Sequence, residues 1–238
     1  MVKKKEWRSW GMSVIGKSHI KLNIKNQDAW LSKSFYGGDV VVVADGLGSH
    51  KYSDRGSIAI CKAILSIAKI YSHLKYINIE RLLKRIHSKW IDNLKKVSAN
   101  EASTTVLFVI QYRKETIVCQ LGDGMIMGFY ENKNSFIMQE NKEELFSNTT
   151  HSLREKFDVK YWKIKRFQAN TFKTFILSTD GISDDLKIDD ELKFGQELYQ
   201  SQKKYSKIRI ERNLRDMLMN WPVPNHSDDK TIACLYRR

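Results

Sequence analysis

Residues 39–49 read DVVVVADGLGS. Four consecutive valines and an alanine favour extended backbone, because β-branched side chains pack well on a pleated surface and lose rotamer freedom in a helix. A strand with one wet face alternates apolar and polar residues; this run does not, so it predicts a strand buried on both faces. It stops at Asp45-Gly46-Leu47-Gly48, a sequence built to turn. Outward from it, residues 54–71 carry Ile58, Ala59, Cys61, Ile64, Leu65 and Ala68 at helical spacing, with Ser53 or Asp54 available as the cap. Leu82, Leu83, Ile86, Trp90, Ile91, Leu94 and Val97 repeat the period after Asn78. The pair predicts two amphipathic helices lying on a sheet.

Strand signals follow at 103–112 (STTVLFVIQY), 116–121, 125–130 and 135–139, separated by short polar turns, which predicts an antiparallel meander. Residues 140–168 are polar and irregular. A further strand is predicted over 171–178, running into Thr179-Asp180-Gly181, then helices over 190–203 and 207–220 and a last strand over 231–236. No repeat, linker or composition break divides the chain, so a single domain is expected over residues 1–238.

Composition excludes several classes. With 42% hydrophobic residues and only 2 prolines in 238, the chain is neither disordered nor collagen-like. Its longest apolar runs are too short to span a bilayer, and no membrane association is expected. The basic N-terminus lacks the apolar stretch of a secretory signal, which makes the cytoplasm the expected location. Cys61, Cys119 and Cys234 are odd in number and widely spaced, as expected of buried reduced thiols. The 41 Lys+Arg against 27 Asp+Glu give a net charge of +14. That charge attracts phosphoproteins, nucleic acid and anionic surfaces alike without choosing among them. Basic clusters at 3–5, 160–166 and 203–215 could meet nucleic-acid phosphates, although lysines scattered over solvated faces explain them more simply.

Acidic residues recur where the predicted strands end: Asp45 after VVVVA, Asp123 after VCQLG, Asp180 after FILST, and Asp228 just before TIACLY. Four carboxylates on one rim of a sheet suit a hard cation, since Mg²⁺ and Mn²⁺ take oxygen ligands and keep several waters. Glycines follow three of them, at Gly46, Gly124 and Gly181. Asp-Gly is also ordinary turn chemistry, and spacing alone leaves both readings open.

The ordered set Asn26-Gln27-Asp28-Ala29, Val43-Ala44-Asp45-Gly46-Leu47-Gly48-Ser49, Ala102-Ser103-Thr104-Thr105, Gly122-Asp123-Gly124, Ser178-Thr179-Asp180-Gly181 and Ser227-Asp228-Asp229-Lys230-Thr231 resembles the metal-dependent, 2C-type serine/threonine protein phosphatases. The likeness runs over residues 11–235, and Gly16-Lys17-Ser18-His19 resembles a compact bacterial branch. The resemblance implies an α+β, four-layer α-β-β-α sandwich of two mainly antiparallel sheets flanked by helix pairs, with residues 140–168 as a variable flap. It implies two Mg²⁺ or Mn²⁺ ions, with Asp45 bridging them, the Gly46 carbonyl binding one, and Asp180 and Asp228 completing the other. Asp28 would act through bound waters, and Asp123 would lie nearby, at the place of a third, weaker ion. The implied reaction is in-line attack of a metal-activated hydroxide on phosphoserine or phosphothreonine, with no covalent phosphoenzyme. A phosphorylated protein, from a cognate Ser/Thr kinase, is the implied partner.

Four departures from the family pattern stand out, one of them Gly124-Met125 where many members have Ser-Arg, which leaves Asp123 with less support. Gln27 replaces a common Glu, the stretch 20–25 offers Lys21, Asn23 and Lys25 where many members place a phosphate-binding Arg, and Leu47 replaces a His that can protonate the leaving group. His19 is the candidate for the phosphate contact and His50 for the acid. His73 and His87 are expected on solvent-facing helix positions, and His226 and His151 are read as a neighbour of Asp228 and a flap residue. The departures keep two alternatives in play: a catalytically weak module that binds a phosphorylated partner, and a basic nucleic-acid-binding protein.

Overall fold

The computed structural model describes residues 7–130, 134–139, 151–187, 190–223 and 227–237. The basic cluster at 3–5, His226 and the first part of the expected flap, 140–150, lie outside the described residues. Among the described residues, ten strands form two antiparallel five-stranded sheets. One contains β1 (Trp7–Val14), β6 (Met125–Tyr130), β7 (Asn134–Gln139), β9 (Thr174–Ser178) and β10 (Lys230–Arg237), in the order β1-β10-β9-β6-β7. The other runs β2 (Asp28–Phe35), β3 (Gly38–Asp45), β4 (Val106–Tyr112), β5 (Glu115–Leu121), β8 (Lys163–Gln168).

The valine run shows how the layers stack. Residues 40–44 of β3 are fully buried, and successive side chains point to opposite faces. Val41 and Val43 enter a core between the sheets, against Ile126, Leu177 and Ala233. Val40, Val42 and Ala44 face the outer core under α2 (Ser53–Tyr71) and α3 (Ile79–Leu94). A third core lies outside the first sheet, where α5 (Glu191–Gln202) and α6 (Lys207–Met219) place Leu198, Ile210, Leu214 and Leu218 on Met127, Ile176 and Cys234. Three apolar layers between four layers of structure give the expected α-β-β-α sandwich. All three cysteines are reduced and buried, and burial pushes their thiols up, away from thiolate chemistry.

Four differences have physical causes. The cap of α2 is Tyr52, not Ser53 or Asp54, because the Ser53 hydroxyl accepts a hydrogen bond from Gln27 Nε2 at 2.7 Å. Helix α3 ends at Leu94, where Lys95 turns to φ 57°, so Val97 lies beyond it. Strand β8 sits inside the stretch read as irregular; among the described residues it pairs only with β5, and charged side chains are what an edge strand carries. His87 is buried, with Nε2 2.7 Å from the Arg154 carbonyl and its ring near Trp90 and Phe157, because residues 151–162 cover that side of α3. No helix among the described residues is long and apolar enough to cross a membrane.

Candidate metal centre

Strand pairing delivers the acidic strand ends to one rim. Asp28 opens β2 directly opposite Asp45, the last residue of β3. Ser178 pairs with both Met125 and Ile232, which lays the turns carrying Asp123, Asp180 and Asp228 side by side. One carboxylate oxygen from each of Asp45, Asp123 and Asp180 lies within 4.8 Å of the others. Asp228 is exposed and outside this trio, and its Oδ1 accepts from the Asp229 amide at 2.8 Å. The expected set of Asp45, Asp180 and Asp228 shares Asp45 and Asp180 with this trio, and Asp123 lies beside them.

Local structure explains each position. Thr104 Oγ1 donates to the Asp45 carbonyl at 2.7 Å, the Thr105 amide donates to the same oxygen at 2.8 Å, and Thr105 Oγ1 accepts from the Asp45 amide. The Ala-Ser-Thr-Thr stretch thus clamps the end of β3, and the next residue, Gly46, bridges to Thr104. Asp180 begins the single-turn α4 (Asp180–Ser183), and its Oδ1 accepts from the Gly181 amide at 2.7 Å. Asp123 sits between Gly122 and Gly124, at φ 89° and 92°, a left-handed region that side chains rarely tolerate. A Cβ on Gly124 would lie 2.6 Å from the Ser178 carbonyl oxygen. Gly124→Ala is therefore expected to displace the Asp123 turn and cost about 2 kcal/mol or more, read as a drop in thermal midpoint and in metal affinity.

Asp28 is buried, accepts from Thr179 Oγ1 at 2.9 Å, and has Thr231 beside it. Burial raises its pKa to about 7, opposed by the Thr231 hydroxyl and reinforced by the Asp229 charge. Burial also raises Asp180 to about 8, with Asp123, Asp228 and Asp28 adding repulsion. Asp45 is pushed well above the usual carboxylate range by burial and by Asp28, Asp180 and Asp123. Carboxylates crowded in this way are relieved by a dication, and an all-oxygen donor set fits Mg²⁺ or Mn²⁺ better than a soft metal.

The second candidate group is divided. His19, in α1 (Lys17–Leu22), whose residues are largely exposed, places Nδ1 3.0 Å from Asp229 Oδ1 rather than among the clustered carboxylates. His50 is half-buried in the turn before α2. Lys21, Asn23 and Lys25 are exposed. Sequence reading missed Asp229 itself, which is 2% exposed and accepts the amides of Gly16 and Gln27, each at 2.7 Å. Ser18 adds two bonds to the Ser227 carbonyl, so residues 16–27 are strapped to the turn that carries Asp228. The only sequence signal for this is the doubled Asp228-Asp229.

The solved structures similar to this chain share the architecture. RsbX in complex with magnesium superposes with a TM-score of 0.62 at 16% identity, over 99% of this chain and 98% of that one. Stp1, a serine/threonine phosphatase from Staphylococcus aureus, gives 0.63 at 17%, over 100% and 98%. PppA, a regulatory component of the type VI secretion system in Pseudomonas aeruginosa, gives 0.65 at 16%, over 98% and 99%. At these identities the likeness is one of fold. No curated protein matches the sequence itself. The sequence profile of protein phosphatase 2C does match, over residues 15–219, a span that holds Asp28, Asp45, Asp123 and Asp180. A match over most of the chain, joined to that two-sheet fold, means that the chain belongs to the protein phosphatase 2C family of metal-dependent serine/threonine phosphatases.

Proposed function

We propose that this phosphatase holds Mg²⁺ or Mn²⁺ at the rim formed by Asp45, the Gly46 carbonyl, Asp123, Asp180 and Asp228, and dephosphorylates phosphoserine or phosphothreonine in a protein substrate modified by a cognate kinase. The trio of Asp45, Asp123 and Asp180 oxygens within 4.8 Å is the observation that carries it. Bound dications there lower the pKa of water and offset phosphate charge. The protein's own part is positional. The Thr104-Thr105 clamp fixes Asp45, the Thr179 hydroxyl orients Asp28 beside it, and the Asp229 strap keeps His19 next to the Asp228 turn, where its second ring nitrogen could meet a substrate phosphate. His50 is the candidate acid for the leaving alcohol, and His50→Ala is expected to shift the pH profile of turnover in that case.

The test is hydrolysis of an aryl phosphate and of a phosphothreonine peptide with Mn²⁺, with Mg²⁺ and with chelator. Turnover that requires metal and acts on the peptide supports the proposal; metal-independent turnover contradicts it. One observation favours a second reading, a slow enzyme acting chiefly as a phosphoprotein-binding module: the Gln27 amide, in place of a common family carboxylate, is spent on Ser53. Gln27→Glu is expected to lose that donor, at about 1 kcal/mol of stability. It should tighten Mn²⁺ binding severalfold, measured by titration. A variant with raised turnover as well would favour the second reading for the natural chain.

A further inference from the structure

A cavity of about 660 Å³ opens at the far end of the sandwich, between α5 and the ends of three strands. Thr174, at the start of β9, pairs with Phe129 and with Tyr236, whereas the carboxylate rim follows Ser178 at the other end of the same strand, about 13 Å away. The cavity floor is aromatic: Phe129 and Tyr236 are buried, and the half-buried Tyr199 ring packs against both, its centroid 5.5 Å from that of Tyr236. The rim is cationic, with Lys203 and Lys204 beside Lys173, whose ammonium lies 4.4 Å from the Tyr130 ring centre, and Arg237, whose Nη1 donates to Asn170 Oδ1 at 2.6 Å; among the described residues Glu197 is the one carboxylate lining it. Among the described residues, neither Lys203 nor Lys204 makes an ion pair; both are exposed, and the Lys203 ammonium lies 5.8 Å from the Tyr199 ring centre. Gln196 and Gln200, one helical turn apart, add amides that offer donor and acceptor together.

We propose that this cavity binds a nucleoside di- or triphosphate, with the base against the Tyr199 face, its edge read by Gln196 and Gln200, and the phosphates held by Lys203, Lys204, Lys173 and Arg237. The volume lies within the usual range of small-molecule sites. A clustered polyanion uses the four cations, and a planar ring uses the aromatic floor and the amides; a nucleotide carries both in one molecule. An acidic peptide would use the cations and leave the floor and the amides without purpose. The site lies apart from the metal rim and does not depend on the assignment of the ligands there.

The test is calorimetric titration of the full chain with ATP and GTP, in chelator so that no divalent ion bridges phosphate to the rim. Adenosine and inorganic tripolyphosphate are titrated in parallel. At least one nucleotide is expected to bind about tenfold or more tightly than either fragment, because ring and phosphates are engaged together. Lys203→Ala/Lys204→Ala should weaken it about tenfold. Gln200→Ala should weaken the nucleotide and leave tripolyphosphate unchanged. Lys62→Ala/Lys69→Ala, which removes two exposed cations from α2, should change nothing. These side chains are exposed, and unchanged melting curves would confirm intact folds. Absence of nucleotide binding, tripolyphosphate binding as tightly as the nucleotide, equal affinity in the Lys203/Lys204 variant, or a single-stranded oligonucleotide binding more tightly than any mononucleotide would each overturn the proposal.

Discussion

Asp180→Asn is expected to abolish metal-dependent turnover while making the metal-free protein more stable. The activity loss follows from removing a charged member of the trio that faces the proposed ions. The stability gain follows from linkage. Without metal, the Asp180 carboxyl has a folded-state pKa of about 8 against 3.8 for the ordinary group, so the native state holds its proton more tightly than the unfolded state does. Below about pH 4 both states are protonated and the substitution gains nothing from this source. As pH rises from 4 towards 8 the unfolded chain ionises freely and the folded site does not, so native stability falls; above pH 8 the penalty is constant. An amide removes the penalty and keeps an oxygen to accept from the Gly181 amide. Allowing for a half-exposed site, the gain at pH 8 is on the order of 2–3 kcal/mol, or about 5 °C or more in melting temperature, and small at pH 4.5. Melting curves at the two pH values in chelator check it. Equal stability of variant and natural chain at pH 8 would mean that neither burial nor the neighbouring carboxylates disfavour the Asp180 charge.

Asp229→Ala is expected to give the largest loss of stability of any single change at the rim. The side chain is buried and accepts two backbone amides from a segment more than 200 residues earlier, as well as facing His19. Truncation leaves the amides of Gly16 and Gln27 without partners. At about 1–3 kcal/mol for each buried donor left unsatisfied, the cost is about 3–5 kcal/mol, or roughly 10 °C in melting temperature. Relief of Asp28 from a neighbouring negative charge offsets part of this. Asp229→Asn keeps one acceptor oxygen and should recover about half. The same variants separate the strap from the ions: metal affinity should fall much less in Asp229→Asn than in Asp180→Asn, because Asp229 lies outside the trio. If Asp229→Ala melted with the natural chain, the strap would not be holding residues 16–27.

The layers were legible in the sequence because hydrophobic period reports burial directly. The valine run named a strand covered on both sides, and two helical periods named one of its covers. The family motifs supplied the rest of the architecture. Residues 7–14 and 28–35 carried no comparable signal: β1 mixes Arg8, Ser9 and Ser13 with tryptophans, and β2 is half-exposed along most of its length. Strand β8 was hidden by its edge position. At the rim, the acidic strand ends were visible as Asp-Gly and Asp-Asp pairs. How their turns are aimed was not, because that depends on two glycines at positive φ in one turn and on the Asp228 carboxylate accepting the Asp229 amide in another. Asp229 and the Gln27–Ser53 bond join residues distant in sequence, and no local pattern marks such pairs. His87 was misplaced because the segment covering it lies some seventy residues further along the chain.

The most direct test of the carboxylate rim as the metal centre is a Mn²⁺ titration followed by electron paramagnetic resonance, which reads free aquated Mn²⁺, on the natural chain and on Asp45→Asn. Suppression of the free signal by the natural chain, and its return to the protein-free level with Asp45→Asn, is the predicted result. Equal suppression by both proteins would place the metal elsewhere and contradict the account.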